Sequence, residues 1–195
     1  NLGGFPLIQW SIEACKKSKM ISRVFVSTDS NEYRKICQDV GAEVPFLSPA
    51  EISKDSSTDL EFVNHALDWL EANDNQPDFL VHIRPTTPLR EPKIIDEAIT
   101  KIVDQPSFTS LRSVHEMSES AYKNFEVKND DTLVTVFDRN PDLDHSNLGR
   151  QSFPKTFVPN GYVDVLRTSF IKKTNLLHGN RVMPFITNPV TEIDS

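Results

Sequence analysis

Basic residues are outnumbered in this 195-residue chain: 21 Lys and Arg stand against 28 Asp and Glu, for a formal net charge of −7. A sequence-independent grip on nucleic acid or on an anionic membrane surface needs an excess of positive charge, so neither is an expected partner. An anionic substrate would have to find a local basic pocket. Cysteine is almost missing. Cys15 and Cys37 fall among apolar residues at helical spacing, without a CxxC or Cys/His pattern, and both read as core packing. His65, His82, His115, His145 and His178 also lack metal-ligand spacing and read as structural or surface residues. No apolar run approaches the ~18 residues of a membrane span and no signal peptide is visible, which makes a cytoplasmic location the default.

With 37% hydrophobic and 25% charged residues, the chain can bury one substantial core, and residues 1–195 read as a single domain. Ile8, Ile12 and Cys15 form a helical stripe, and Val24 to Val26 is a short β-branched run that reads as a buried strand. Asn31 to Val40 has helical period, with Gly41 placed for a left-handed cap. A short extended piece, Glu43 to Phe46, follows. Thr58 and Glu61 have capping-box spacing ahead of the stripe Leu60, Val63, Leu67 and Leu70. Phe79 to Ile83 reads as a buried strand, and the two prolines of Arg84 to Arg90 take the chain out of the sheet. Pro92 suits a first helical turn before Ile95, Ala98, Ile99 and Ile102. This alternation predicts an α/β fold: a Rossmann-like, mostly parallel sheet sandwiched by helices. After Phe108 the alternation loosens. Leu133 to Phe137 and Gly161 to Leu166 read as strands around a polar stretch, Asp138 to Pro159, that is expected to project from the core.

Ligands of open parallel sheets bind beyond the carboxyl ends of the strands, so the loops after apolar runs are the candidate sites. Those are Ser27, Thr28 and Asp29, then Arg84 to Arg90, then Thr191 to Ser195. Asp55 to Asp59 joins them, because hydroxyls and backbone N–H groups at a helix start attract phosphate. Each also has a plainer reading: helix cap for Asp55, Ser57 and Thr58, turn residue for Asp29, solvated loop charge for Arg84 and Arg90.

In order and spacing, the combination resembles the acylneuraminate cytidylyltransferases. The resemblance is carried by Phe5 to Ala14, Val26 to Ser30, Gly41 to Ile52, Asp55 to Asp59, Arg84-Pro-Thr-Thr-Pro-Leu-Arg90, Arg150-Gln-Ser-Phe-Pro-Lys155 and Asn160-Gly161. The proline loop is the most specific of these.

The resemblance implies attack of the anomeric hydroxyl of an acidic 2-keto sugar on the α-phosphate of CTP, with pyrophosphate leaving and Mg²⁺ assisting. It places Asp29, Asp55, Ser56, Ser57, Thr58 and Asp59 at the nucleotide, and Arg84 where base and sugar meet. Thr86, Arg90, Lys123, Arg150, Gln151 and Asn160 fall to the sugar, and Glu192 and Asp194 to the metal, with Arg84 and Asp194 carrying the chemistry. It also implies that residues 115–160 form a dimerisation segment reaching a partner's active site, hence a homodimer. The family's first strand and glycine-rich nucleotide loop are expected before Asn1.

Several positions depart from the family pattern. Arg84 replaces a usual Gln, and its planar, permanent charge suits an anionic substrate group. Ser48 replaces an arginine that holds the nucleotide, which leaves a GTP-using relative as an alternative. Glu192 replaces a usual Asp. Asp164 stands where an aromatic is common, so the sugar is expected to differ from N-acetylneuraminate. Two other readings stay open: a glycosyltransferase using Asp142-Leu-Asp144 as a DxD metal site, and a non-catalytic sugar or nucleotide-binding module.

Overall fold

A computed structural model describes residues 1–73, 76–137 and 143–193. Helix α1 (Leu7–Lys17) follows Pro6 and buries Ser11, Ile12, Ala14 and Cys15. Helix α2 (Asn31–Asp39) is capped by Ser30, whose hydroxyl accepts from the Tyr33 amide, and its chain turns at Gly41 with φ +93°. The expected strand Val24 to Val26 and the extended piece from Glu43 do pair, in parallel. They form only one bridge, with Val26 N–H donating to Glu43 O and Glu43 N–H to Val24 O.

Helix α3 (Asp59–Asn73) starts on the anticipated capping box. The Glu61 carboxylate accepts from both the amide and the hydroxyl of Thr58, which holds its pKa below the ordinary value. Strand β1 (Phe79–His82) leads through the proline loop into helix α4 (Pro92–Val103), which has Pro at its start as the sequence suggested.

The sequence reading missed the next strand, β2 (Ser110–Glu116), because Arg112 and His115 break its apolar pattern. Strands β3 (Phe125–Val127) and β4 (Leu133–Thr135) form a separate antiparallel ribbon. Strand β5 (Phe157–Arg167) is the longest and runs further at both ends than the expected Gly161 to Leu166. Helix α5 (Thr168–Thr174) and strand β6 (Val182–Ile186) complete the order, and neither was legible beforehand.

The main sheet has the order β1-β5-β2-β6. Strands β1, β2 and β6 point one way, and β5 runs antiparallel between β1 and β2. The fold is thus the expected α/β class, with one reversed strand at its centre. Val163 and Val165 face α1 and α4, in a cluster with Ile95, Ala98, Ile99 and Leu111. Leu166 faces α3 and α5, in a cluster with Val63, Leu67, Leu70 and Ile171. Because β5 is reversed, its first residues, including Asn160 and Gly161, lie where β1 and β2 end. Among the described residues, no helix is long and apolar enough to cross a membrane. Cys15 and Cys37 are buried and unbonded to each other, and burial raises both thiols, Cys15 to about 11. The core-packing reading of both fits that burial.

Candidate active site

The proline loop is the hub. Its closing residue, Arg90, was expected to touch substrate, and the structure engages it within the protein. Arg90 is 6% exposed, and all five of its N–H groups donate within the protein: to Tyr162 O, Ser11 Oγ, Thr87 O, Arg84 O and Gly161 O. It fastens the loop to β5 and α1, which fixes where Arg84, Thr86 and Thr87 stand. Burial lowers its pKa to about 10.

Arg84, at the other end of the loop, joins three elements. One terminal nitrogen pairs with Asp59 at the start of α3, and the other lies 3.1 Å from Asp164 Oδ2 on β5. Burial opposes its charge, but these two carboxylates outweigh it and raise its pKa. Each terminal nitrogen of Arg84 therefore has a carboxylate partner within the protein. Asp59, placed by resemblance at the nucleotide, is likewise occupied by Arg84. Asp55, Ser56 and Thr58 are exposed on the turn just before it, and Ser57 Oγ accepts from the Lys54 amide.

The end of the described chain returns to this loop. Ile193 N–H donates to Thr86 O at 2.7 Å. Gly161 has φ +61°, and a Cβ there would sit 2.6 Å from Glu192 Oε1 and 3.1 Å from Thr87 Oγ1. Glycine thus makes room for the Glu192 carboxylate at the loop. Asn160 is buried, donating to Thr187 Oγ1 at 2.7 Å and accepting from the Tyr162 amide. It shapes the wall from within and exposes almost nothing to a ligand. Asp194, the safer metal candidate by sequence, lies outside the described residues, as does Asp142 of the DxD sequence. Among the described residues no group of three His, Cys, Asp or Glu could hold a metal ion.

The contacts of the remaining candidates lie on other elements. Lys123 lies 5.8 Å above the Phe153 ring, and Arg150 donates to Met117 O and pairs with Glu116 at 3.8 Å. Gln151 is exposed beside Arg150. These belong to the arm carrying β3 and β4. Asp29 is exposed after Thr28, whose carbonyl accepts from Ser48; Ser48 Oγ also meets Ser27 Oγ at 2.6 Å.

Sequence reasoning overlooked a buried polar row. Asp164 pairs in register with His82 on β1 and Arg112 on β2, so the three side chains share the α3/α5 face of the sheet. Asp164 has no exposed side-chain surface, and its Oδ1 has no hydrogen-bond partner. His178 Nε2 lies 3.9 Å from Asp164, and its Nδ1 lies 3.2 Å from Ser110 Oγ. This Ser-His-Asp order is no nucleophilic triad, because Ser110 is fully buried. The only advance signal was that Arg84 and Asp164 both departed from the family pattern toward charge.

His82 gives the row a measurable signature. Burial, helped by Arg84, pulls its pKa from 6.5 down to about 4. The unfolded chain therefore binds the proton more readily between those values, and stability falls as pH drops below 6.5, levelling near 4. From pH 7 to pH 5 the loss attributable to His82 is about 2 kcal/mol. Urea denaturation across pH should show a shallower acid slope for His82→Gln; an unchanged slope contradicts the burial of a neutral imidazole.

A comparison with known proteins gives the class. The family model described as Cytidylyltransferase matches residues 1–156, and the chain belongs to that family. It is 33% identical over 165 residues to N-acylneuraminate cytidylyltransferase B of Danio rerio, covering 83% of this chain and 36% of the relative. It is 26% identical over 189 residues to the N-acylneuraminate cytidylyltransferase of Escherichia coli O18:K1:H7, covering 97% of this chain and 42% of the relative. The chain thus spans less than half the length of these relatives. In fold it is similar to a CMP:2-keto-3-deoxy-manno-octonic acid synthetase solved with CTP, with TM-score 0.65 at 13% identity, covering 97% of this chain and 82% of that one.

Proposed function

We propose that this chain forms the core of a transferase joining the CMP part of CTP to an acidic keto-sugar of the nonulosonic or octulosonic class. The anomeric oxygen bonds to the α-phosphorus, the bond to the β-phosphate breaks, pyrophosphate leaves, and the hydroxyl proton is released. The observation that carries this reading is convergence within a cytidylyltransferase fold: the start of α3, the proline loop and the Glu192 segment meet where β1 ends.

In this reading the exposed turn Asp55 to Thr58 borders the nucleotide with hydroxyls and amides at a helix start. Asp29 belongs to the same nucleotide side. Negative charge building on the leaving pyrophosphate calls for a cation, and Mg²⁺ suits two carboxylates completed by phosphate oxygens and water. Glu192 sits in a place that glycine keeps open, which fits one such ligand, and Asp194 would supply the other. When bound, the ion neutralises the phosphates; Arg84 and Asp59 keep the α3 start and the proline loop in fixed relation.

The arm is read as a homodimer element that brings Lys123, Arg150 and Gln151 to the partner's sugar site. Exposed Phe125, Val127, Leu133 and Phe137 on the arm support a protein-covered surface. Residues 1–195 are read as one nucleotidyltransferase domain, with residues 115–160 as its dimerisation segment.

The test is pyrophosphate release by the full-length protein with Mg²⁺, CTP or GTP, and either N-acetylneuraminic acid or 3-deoxy-manno-octulosonic acid. Release that needs both CTP and a sugar acid is expected. Release only with GTP would move the donor to guanine, and reaction only from a preformed nucleotide-sugar would overturn the reading.

A further inference from the structure

Asp164 is an unfavourable group to place inside a sheet. A carboxylate with no exposed surface is tolerated only where cations and hydrogen bonds compensate it. Two guanidinium groups do so from opposite sides. Arg84 binds Oδ2 at 3.1 Å, and Arg112 Nε lies 3.8 Å from Oδ1, directly across the β2/β5 register.

The two arginines differ in what they have left to offer. Both terminal nitrogens of Arg84 are held by Asp59 and Asp164. Arg90 has no free N–H, and Arg167 donates to Phe108 O and Gln105 O. Arg112 is different: its side chain is 34% exposed, and only its Nε faces a partner. Its terminal pair of nitrogens has no acceptor among the described residues. Of the arginines on the main sheet and the proline loop, it alone presents a free planar fork.

That fork is also in the right neighbourhood. A single carboxylate, Asp164, separates Arg112 from Arg84, and Arg84 opens the loop around which Asp59, Thr86 and Glu192 gather. In a chain of net charge −7, an unengaged arginine at the rim of the buried row is informative, because an anionic sugar needs a local cation. A planar fork matches a carboxylate with two parallel hydrogen bonds, which lysine cannot reproduce.

We propose that Arg112 recognises the acid group of the sugar and that Asp164 is its positioning residue, aiming the fork from behind. This rests on the transferase reading above. It also assigns the anion-binding role, first expected of Arg84, to the neighbouring arginine whose fork is open.

The experiment compares full-length wild type, Arg112→Gln, Arg112→Lys and Asp164→Asn in pyrophosphate release with CTP and Mg²⁺. The substrates are N-acetylneuraminic acid, 3-deoxy-manno-octulosonic acid and the methyl ester of each. Arg112→Gln should raise the sugar-acid KM roughly 10- to 100-fold and leave the KM for CTP unchanged. Preference for acid over ester should largely disappear with it. Arg112→Lys should fall between, keeping charge without the fork, and Asp164→Asn should shift the same preference less. If Arg112→Gln melts far below wild type, Arg112→Lys carries the comparison. A turning-over wild type matched by Arg112→Gln and Arg112→Lys in sugar-acid KM and ester preference would overturn this inference and leave the transferase reading standing. A wild type with no sugar-acid-dependent release would overturn both.

Discussion

Replacing Arg90 by Met is expected to destabilise the fold by about 3–5 kcal/mol, because five buried neutral acceptors lose their donor at about 1 kcal/mol or more each. Only the aliphatic stem of the side chain is kept, and four carbonyl oxygens and the Ser11 hydroxyl lose their donor. Each buried acceptor left alone carries its own desolvation cost. Arg90→Lys should recover little, since one ammonium cannot reach acceptors on Tyr162, Thr87, Arg84, Gly161 and Ser11 together. Urea denaturation measures this directly. A loss below about 1 kcal/mol would mean the loop holds its shape without Arg90.

The second large effect concerns turnover. Asp194→Asn is expected to lower kcat by about two to three orders of magnitude, as loss of a metal-held charge in the transition state implies. Thermal stability should stay close to wild type, because Asp to Asn keeps the side chain's size and removes only its charge. Titrating Mg²⁺ in the variant should shift the half-saturating concentration upward. Near-normal turnover at ordinary Mg²⁺ would remove Asp194 from the metal site.

What was readable in advance was whatever local chemistry decides. The α3 start is an example: Thr58 and Glu61 stand three residues apart, and the capping box forms within that one turn. The proline loop is another, since its prolines bar a strand and force the chain outward. Strand β2 was not readable. Its polar Ser110, Arg112 and Ser113 find their partners, His178, Asp164 and the Val163 amide, elsewhere in the chain. Strand β6 and helix α5 are short, and their packing, not their pattern, makes them regular.

The same distinction explains the site. Resemblance could carry Arg84 and Arg90 to the right loop. It could not tell a saturated guanidinium from a free one, because that depends on carbonyls of β5 more than seventy residues away. Nor could the sequence show that two separate departures, Arg84 and Asp164, are one ion pair. Once paired, they turn an expected patch of sugar-facing wall into a charged row that runs on to Arg112.

A triphosphate and a divalent cation are proposed to lie between the α3 start, the proline loop and the Glu192 segment. A crystal structure of the full-length protein with CTP and Mg²⁺ tests this placement most directly. Phosphates are expected against the Asp55 to Thr58 turn, with an ion ligated by Glu192 or Asp194. Nucleotide bound on another face, with Asp55, Arg84 and Asp194 all distant from it, would rule this placement out.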